Sequence, residues 1–429
     1  MKEFFKKIVV AILTYEARIL IARKRPHIIG ITGSVGKTST KDAVYTVLRE
    51  RVHVRKSEKS FNSEVGVPLT ILGLPNGWNS PVRWIKNIFD GALVALFPGT
   101  YPDWLILEIG VDRPGDMARL TAWIKPDIVI LTRLPDVPVH VEFFATPEAV
   151  IAEKRQLVDA LKADGVFVFN NDDEAVVRVR EGVRQQSIGY SRYSLSPFTA
   201  SADKVIYENG IPVGFEFTLT HGAEATLVQV MGSLGVQQAY NFAAAIAVGT
   251  LFGISIAEGA RALRAHVPPP GRMRILPGIK ESLIVDDTYN SSPVALDRAL
   301  QTLKEVRTIG RKVAVLGDMM ELGQYSIPEH EKAGRSAAEI VDLLVTVGVR
   351  ARSIAEGALE SGLHESRIWQ HEDARAAGKE LEAFLGPDDI VLVKASQSVR
   401  CERTVEEIMA HPEDARDLLV RQDEQWLRR

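Results

Sequence analysis

One cysteine, Cys401, in 429 residues leaves no intrachain disulfide and no multi-cysteine zinc site. The sequence also lacks an excess of either charge. Its 52 Lys and Arg stand against 55 Asp and Glu, a net charge of −3. Nothing in that balance marks it for nucleic acid. No run of about 20 apolar residues, the length that crosses a bilayer, is present. The first 25 residues, MKEFFKKIVVAILTYEARILIARKR, are broken by Lys and Arg and lead to no small-residue cleavage site. Neither a spanning helix nor a secretory signal is expected. The scarcity of cysteine suits a reducing compartment, so a cytoplasmic protein is expected. With 46% hydrophobic and 25% charged residues, the composition is that of a globular protein. At roughly 100–200 residues per domain, it has room for two or three domains.

Residues 1–27 have the pattern of an amphipathic helix, with Phe4, Phe5, Ile8, Val9, Ile12, Leu13, Ile19 and Leu20 supplying apolar surface. Two arrangements fit. The helix packs on the domain that follows, or it lies with its basic residues on the inner membrane surface.

From His27 onward, short apolar runs alternate with helical periodicity. HIIGITG, WLILEIG, DIVILTRL and GVFVFNN read as strands with helical or polar sequence between them. That alternation implies a mainly parallel sheet with crossover helices. Between about Tyr190 and Leu234 the pattern changes to antiparallel strands joined by Asn-Gly and His-Gly turns. HVPPPGRMR cannot continue a helix and marks a boundary. A second alternating series then follows in SLIVDDT, KVAVLGD, LLVTVG and DIVLVKAS. The expected fold class is α/β. A P-loop central domain with a parallel sheet spans residues 28–268, and a smaller Rossmann-like α/β domain spans 269–429.

The segment GITGSVGKTST ends a predicted strand and opens a predicted helix. Gly33 and Gly36 allow a tight turn whose N–H groups, with those of Ser34, Val35 and Ser39, face phosphate oxygens. The helix N-terminus adds partial positive charge. Lys37 supplies a cation for the β- and γ-phosphates, and Thr38 a hydroxyl suited to Mg²⁺. A nucleotide with β- and γ-phosphates is therefore expected, and the resemblance given below makes it ATP. One position departs from the general pattern, since Ile31 stands where the first glycine of a P-loop is usual.

The narrower loop TGSVGKT resembles that of the Mur ligase family. FNSEVGVPLTIL, LEIGVDRPGDM, HVEFFATPEAVIAEKRQL, AYNFAAAIAVGTLFGI, GRMR, IVDDTYNSSP, VLGDMMELG and LVKASQSVRCERTVEEIM follow in the family's order from about residue 28 to 410. DDTYNSSP with GDMMELG is similar to the members that join a UDP-linked muramoyl-tripeptide to D-alanyl-D-alanine in peptidoglycan precursor synthesis. Those members carry a further domain ahead of the loop that holds the uridine nucleotide. Here about 27 residues precede the loop strand, too few to bury a core, so that domain is expected to be absent. Gln237 stands near a place where the family usually has His.

The resemblance implies an ADP-forming ligase that activates a carboxylate as an acyl phosphate and passes it to an amine. It implies Lys37, His140 and Lys154 as catalytic residues. It implies two Mg²⁺ ions held by Thr38, Glu108, His140 and a Lys154 carbamylated by CO₂. Glu108 also ends a predicted strand at the sheet edge where ligands bind. By the same resemblance Asn241, Arg272, Asp287 and Asn290 hold the nucleotide, and Asn62, Lys394 and Ser396 contact substrate. Asp318 and Glu321 are candidates to orient the amine, and Cys401 is expected to pack, not to react. The expected partners are therefore small molecules. Other occupants of the same chemistry are a lipid-linked or other non-UDP acceptor, and a folate, which DDTYNSSP and GDMMELG disfavour. A kinase or nucleotide switch using the P-loop alone is the reading from a different class.

Overall fold

The computed structural model describes residues 2–57 and 60–427. The side chain of Phe4, assigned above to an apolar face, lies outside what is described. Two sheets organise the chain. The first contains β1 (His27–Thr32), β2 (Val54–Lys56), β3 (Trp104–Glu108), β4 (Ile128–Leu131), β5 (Val166–Asn170), β6 (Gln186–Ser191), β7 (Phe198–Glu208), β8 (Ile211–His221) and β9 (Glu224–Met231), in the order β2-β3-β1-β4-β5-β6-β7-β8-β9. Neighbours are parallel from β2 to β7. The β7/β8 and β8/β9 pairs are antiparallel. The antiparallel strands read from the sequence thus extend the parallel sheet. Asn209 and Gly210 make the first turn with φ of 50° and 84°, the left-handed pair a tight hairpin needs.

The second sheet is built from β10 (Arg274–Pro277), β11 (Leu283–Asp286), β12 (Lys312–Gly317), β13 (Leu343–Val347), β14 (Ile368–His371) and β15 (Ile390–Lys394), in the order β10-β11-β15-β12-β13-β14. Only β10 runs antiparallel to its neighbour. Both sheets carry an apolar core on each face, the layering of a doubly wound α/β fold. β1 shows why its residues make a strand and not a helix. Ile28, Ile29 and Ile31 are β-branched, buried, and project alternately into the two cores.

Four helices matter below: α1 (Lys2–Lys24), α2 (Lys37–Leu48), α3 (Gly66–Leu72) and α4 (Pro81–Leu96). The N-terminal helix packs on the first sheet's domain. Val9, Leu13, Ala17 and Leu20, spaced at helical intervals, are buried in the core that also contains residues of α3. Arg23 of α1 donates to the carbonyls of Ala95 at 2.9 Å and Leu96 at 2.7 Å, tying α1 to the end of α4. Among the described residues, no helix is long and apolar enough to cross a membrane.

Between α1 and α4 lies a buried carboxyl, Glu16, whose Oε2 has no hydrogen-bond partner among the described residues and faces Gly91. Burial raises its pKa from 4.5 to about 7. The folded protein therefore holds a proton that the unfolded chain loses between pH 4.5 and 7. This group's contribution to stability falls as pH rises through that window and stays low above it. We expect Glu16→Met to raise the melting temperature at pH 8, by a stabilisation of about 2 kcal/mol, and to do far less at pH 5. Thermal melts of both proteins at both pH values check this.

Candidate active site

The strand ends of both sheets meet at one cleft. Ser34 to Ser39, Asn62, Glu108, His140 and Lys154 line it from the first sheet's domain, and Arg272, Asp287, Asn290 and Lys394 from the second. The P-loop leaves β1 at Thr32 and enters α2 at Lys37. It is tied to the segment after β4, where Ser34 N donates to Arg133 O at 2.7 Å and Thr132 Oγ1 donates to Val35 O at 2.7 Å. Gly36 sits at φ 89°, and a Cβ there would stand 2.6 Å from Asn241 Oδ1. Both the backbone and the neighbour therefore demand glycine. We expect Gly36→Ala to destabilise the fold by about 1–3 kcal/mol and to weaken nucleotide binding, as read by melting and by titration of a nucleotide.

Lys37 Nζ folds back to Gly33 O at 2.8 Å. Burial lowers its pKa. Thr38 Oγ1 is the hub of the site. It donates to Glu108 Oε1 at 3.2 Å, lies 2.7 Å from Ser60 Oγ, and accepts from Arg272 Nη2 at 3.1 Å. Asn62 Nδ2 donates to the same Glu108 oxygen at 3.3 Å. Glu108 Oε2 is buried without a hydrogen bond among the described residues, Lys41 Nζ standing 3.9 Å away. A buried anionic oxygen beside a threonine hydroxyl is the donor set a hard cation takes, with phosphate and water completing its shell. Among the described residues no three His, Cys, Asp or Glu side chains cluster as a complete metal cage.

Lys154 lies in the helix Pro147–Asp159 and is 3% exposed. Its Nζ donates to Ser34 Oγ at 2.6 Å and makes no ion pair among the described residues. Burial and then the charge of Lys37 hold its pKa well below the usual lysine range. The amine is accordingly driven toward its neutral, nucleophilic form. The adjacent Arg155 points away and bonds Asp159, so the register of the helix selects Lys154.

His140 has a left-handed backbone, φ 71°, rare for a residue with a side chain. Its Nδ1 contacts Glu321 from the second domain, and its Nε2 lies 3.5 Å from Asp112. Arg272 stacks on Tyr289 with its guanidinium 4.0 Å from the ring centroid, and its Nε has no hydrogen-bond partner among the described residues. The arginine is thus held flat with donors facing the cleft. Asn241 Oδ1 accepts from Thr40 Oγ1 at 3.1 Å, behind the loop.

Three candidate substrate contacts take other roles. Lys394 is 2% exposed and donates to Asp287 Oδ2 at 2.6 Å and to Asn290 O at 2.9 Å. It neutralises Asp287, whose pKa burial raises and Lys394 pulls back. Ser396 does not line the cleft; its hydroxyl accepts from Met320 N at 2.9 Å and fixes the GDMMELG loop. Asp318 accepts from Ala351 N at 2.8 Å through Oδ1 and so anchors the start of the next helix. In each case an unpaired buried polar group would be costly, and the nearest protein partner takes it. Cys401 is fully buried, with its thiol pKa raised by burial, and packs as expected. Sequence inspection passed over Ser60, Asp112, Lys41 and Tyr289. Their only signal is proximity to motif residues, and what each touches depends on the fold.

Fold and site together define a P-loop nucleotide-binding enzyme cleft closed by a second α/β domain. The Mur ligase middle domain model matches residues 31–83 and 91–249, and the model of the Mur ligase glutamate ligase domain matches 271–397. The UDP-N-acetylmuramoyl-tripeptide--D-alanyl-D-alanine ligase of Mycobacterium leprae is 35% identical over 398 residues, which cover 87% of this chain and 71% of that protein. The protein of the same name in Bacillus subtilis is 26% identical over 390 residues, 90% of this chain and 76% of that one. The crystal structure of MurF ligase from Thermotoga maritima in complex with ADP matches with a TM-score of 0.74 at 26% identity, covering 93% of this chain and 83% of that one. The chain belongs to the Mur ligase family.

Proposed function

We propose that this protein is an ATP-dependent, ADP-forming ligase that joins the terminal carboxylate of a muramoyl-tripeptide to the amine of D-alanyl-D-alanine. The observation that carries this reading is one cleft holding the P-loop lysine, the Thr38–Glu108 pair and a buried, uncompensated Lys154, with Arg272 reaching in from the second domain. In the first step a carboxylate oxygen attacks the γ-phosphorus, the bond to the β,γ-bridging oxygen breaks, and ADP leaves. In the second step the amine attacks the acyl carbon, inorganic phosphate leaves, and the nitrogen loses a proton. Such transfers need positioning and charge neutralisation more than covalent help.

The loop N–H groups and Lys37 bind the phosphates, and Arg272 supports the transferred group. Thr38 and Glu108 are suited to hold one Mg²⁺. His140 and a carbamylated Lys154 are the candidates for a second, with His140 released from Glu321. Bound Mg²⁺ would neutralise phosphate charge and polarise the transferred group. Carbamylation joins the neutral Nζ to the carbon of CO₂ with loss of a proton, turning a lysine into an anionic oxygen donor. Asn241, Asp287 and Asn290 are assigned to the nucleotide side of the cleft, and Asn62 to positioning Glu108 beside the substrate. Lys394 keeps Asp287 and the Asn290 backbone in place.

The test is phosphate release from ATP with Mg²⁺ and bicarbonate, supplying UDP-N-acetylmuramoyl-tripeptide and D-Ala-D-Ala singly and together. Release only with the pair, and a new amide by mass spectrometry, is the expected result. Release with a lipid-linked tripeptide but not the UDP-linked one would favour a second reading, a non-UDP acceptor. The exposed helix pair described next motivates that reading.

A further inference from the structure

Nine of the twenty large apolar side chains exposed among the described residues lie on α1 or α4, or cap α4: Phe5, Ile8, Tyr15, Val82, Ile85, Phe89, Leu93, Leu96 and Phe97. On α4 they follow helical spacing at 82, 85, 89, 93 and 96, one continuous outward stripe. The opposite side of the same helix, at Asn87, Gly91 and Ala95, is buried. α4 is therefore apolar on the face it turns to solvent, the reverse of an ordinary surface helix. Beside it, α1 carries Ile8, Ile12, Tyr15 and Ile19 at the same spacing, none of them buried. The two helices run side by side in one direction, since Glu16 meets Gly91 and Arg23 reaches Ala95. The match to the family's middle domain is interrupted over residues 84–90, inside α4.

Charge identifies the occupant. Residues 5–25 and 81–97 contain eight basic side chains, Lys6, Lys7, Arg18, Arg23, Lys24, Arg25, Arg83 and Lys86, against two acidic ones, Glu16 and Asp90. Glu16 is buried and Asp90 is paired with Lys86. This basic surplus sits on a chain whose net charge is −3. An apolar stripe rimmed by Lys and Arg matches the boundary between acyl chains and anionic headgroups, where such helices lie in the plane of the bilayer. Neither helix is long and apolar enough to span it.

We infer that α1 and α4 form a docking face for the surface of an anionic lipid bilayer. The inference rests on this surface and not on the ligase reading, because no described residue of either helix lines the cleft. The experiment is co-sedimentation of the full chain with phosphatidylglycerol-containing vesicles and with phosphatidylcholine vesicles, at low and high salt. The wild type is expected to sediment with the anionic vesicles, less so at high salt. Phe89→Asp combined with Leu93→Asp should cut binding on the order of tenfold or more. Nucleotide affinity in solution and melting temperature should not change, because both side chains are exposed. Equal binding by this variant would overturn the inference, as would equal sedimentation with neutral vesicles. A wild type that ignores anionic vesicles and is a dimer by light scattering, the dimer being lost in the variant, would assign the face to a second copy and overturn the bilayer.

Discussion

Replacing Lys154 with Ala should lower ligase turnover on the order of 10³-fold, the scale seen when a preorganised charge is removed from a water-poor site. The structure gives the reason in two parts. Lys154 is buried beside Lys37 and, among the described residues, has only the Ser34 hydroxyl as a partner, so a protonated amine there meets no compensating anion among them. The proposed carbamate would remove that conflict by putting an anion in place of the ammonium beside Ser34. Lys154→Arg separates this account from a need for a cation. Arginine keeps a positive charge but cannot be carbamylated, so it should be as inactive as Ala. Wild-type activity should fall in CO₂-depleted buffer and return with bicarbonate. Isotope-labelled bicarbonate should give a carbamate carbon resonance in the wild type and none in either variant. Full activity in Lys154→Arg would sink the carbamate assignment and leave the rest of the cleft intact.

Lys37→Ala should be comparably severe, with turnover again down on the order of 10³-fold, but by a different route. Its ammonium is parked on the Gly33 carbonyl, 2.8 Å away, at the mouth of the loop. From there a short swing brings it to a phosphate. Its removal takes a positive charge from the place where charge moves between the γ- and β-phosphates. Nucleotide affinity should weaken along with turnover, whereas Lys154→Ala should leave nucleotide affinity nearly unchanged. Calorimetric titration of ADP into both variants distinguishes them. A Lys37→Ala protein with normal turnover would remove the P-loop from the mechanism.

The difference between these two lysines shows how much of the site was legible in the chain alone. Lys37 is announced by its immediate neighbours, because a glycine-flanked turn between a strand and a helix presents its N–H groups wherever it occurs. Strands β1, β3 to β5, β7 to β9, β11 to β13 and β15, and the change to antiparallel pairing at β7, were legible for the same reason, since side-chain alternation and turn residues act over a few positions. Strands β2, β6, β10 and β14 were not, because none of them is a continuous apolar run and each is a strand only through the neighbour it pairs with. Lys154 was chosen over Arg155 on its spacing from His140 within the family resemblance; the fold buries Lys154 and leaves Arg155 exposed.

Contacts between distant residues were decided by the tertiary structure. Arg272 reaches Thr38 across 234 positions, and Lys394 reaches Asp287 across 107. No local pattern determines that Lys394 turns inward to a buried carboxylate, or that Ser396 and Asp318 brace loops. Those outcomes depend on which partner is nearest once the sheets have packed, since a buried polar group is stable only when paired. Helix α4 is the plainest case. Its apolar residues cover more than half of the helix circumference, with Trp84 and Ile88 beside the exposed stripe, so periodicity does not tell which part of that surface meets the core. Packing against α1 and α3 covered the face with small residues, Gly91 and Ala95, where backbones approach closely. It left Phe89 and Leu93 outside. The sequence by itself determined the long apolar elements and the phosphate loop, because those are set by neighbours in the chain. The tertiary structure decided which charges pair and which apolar face remains open, because those are set by neighbours in space.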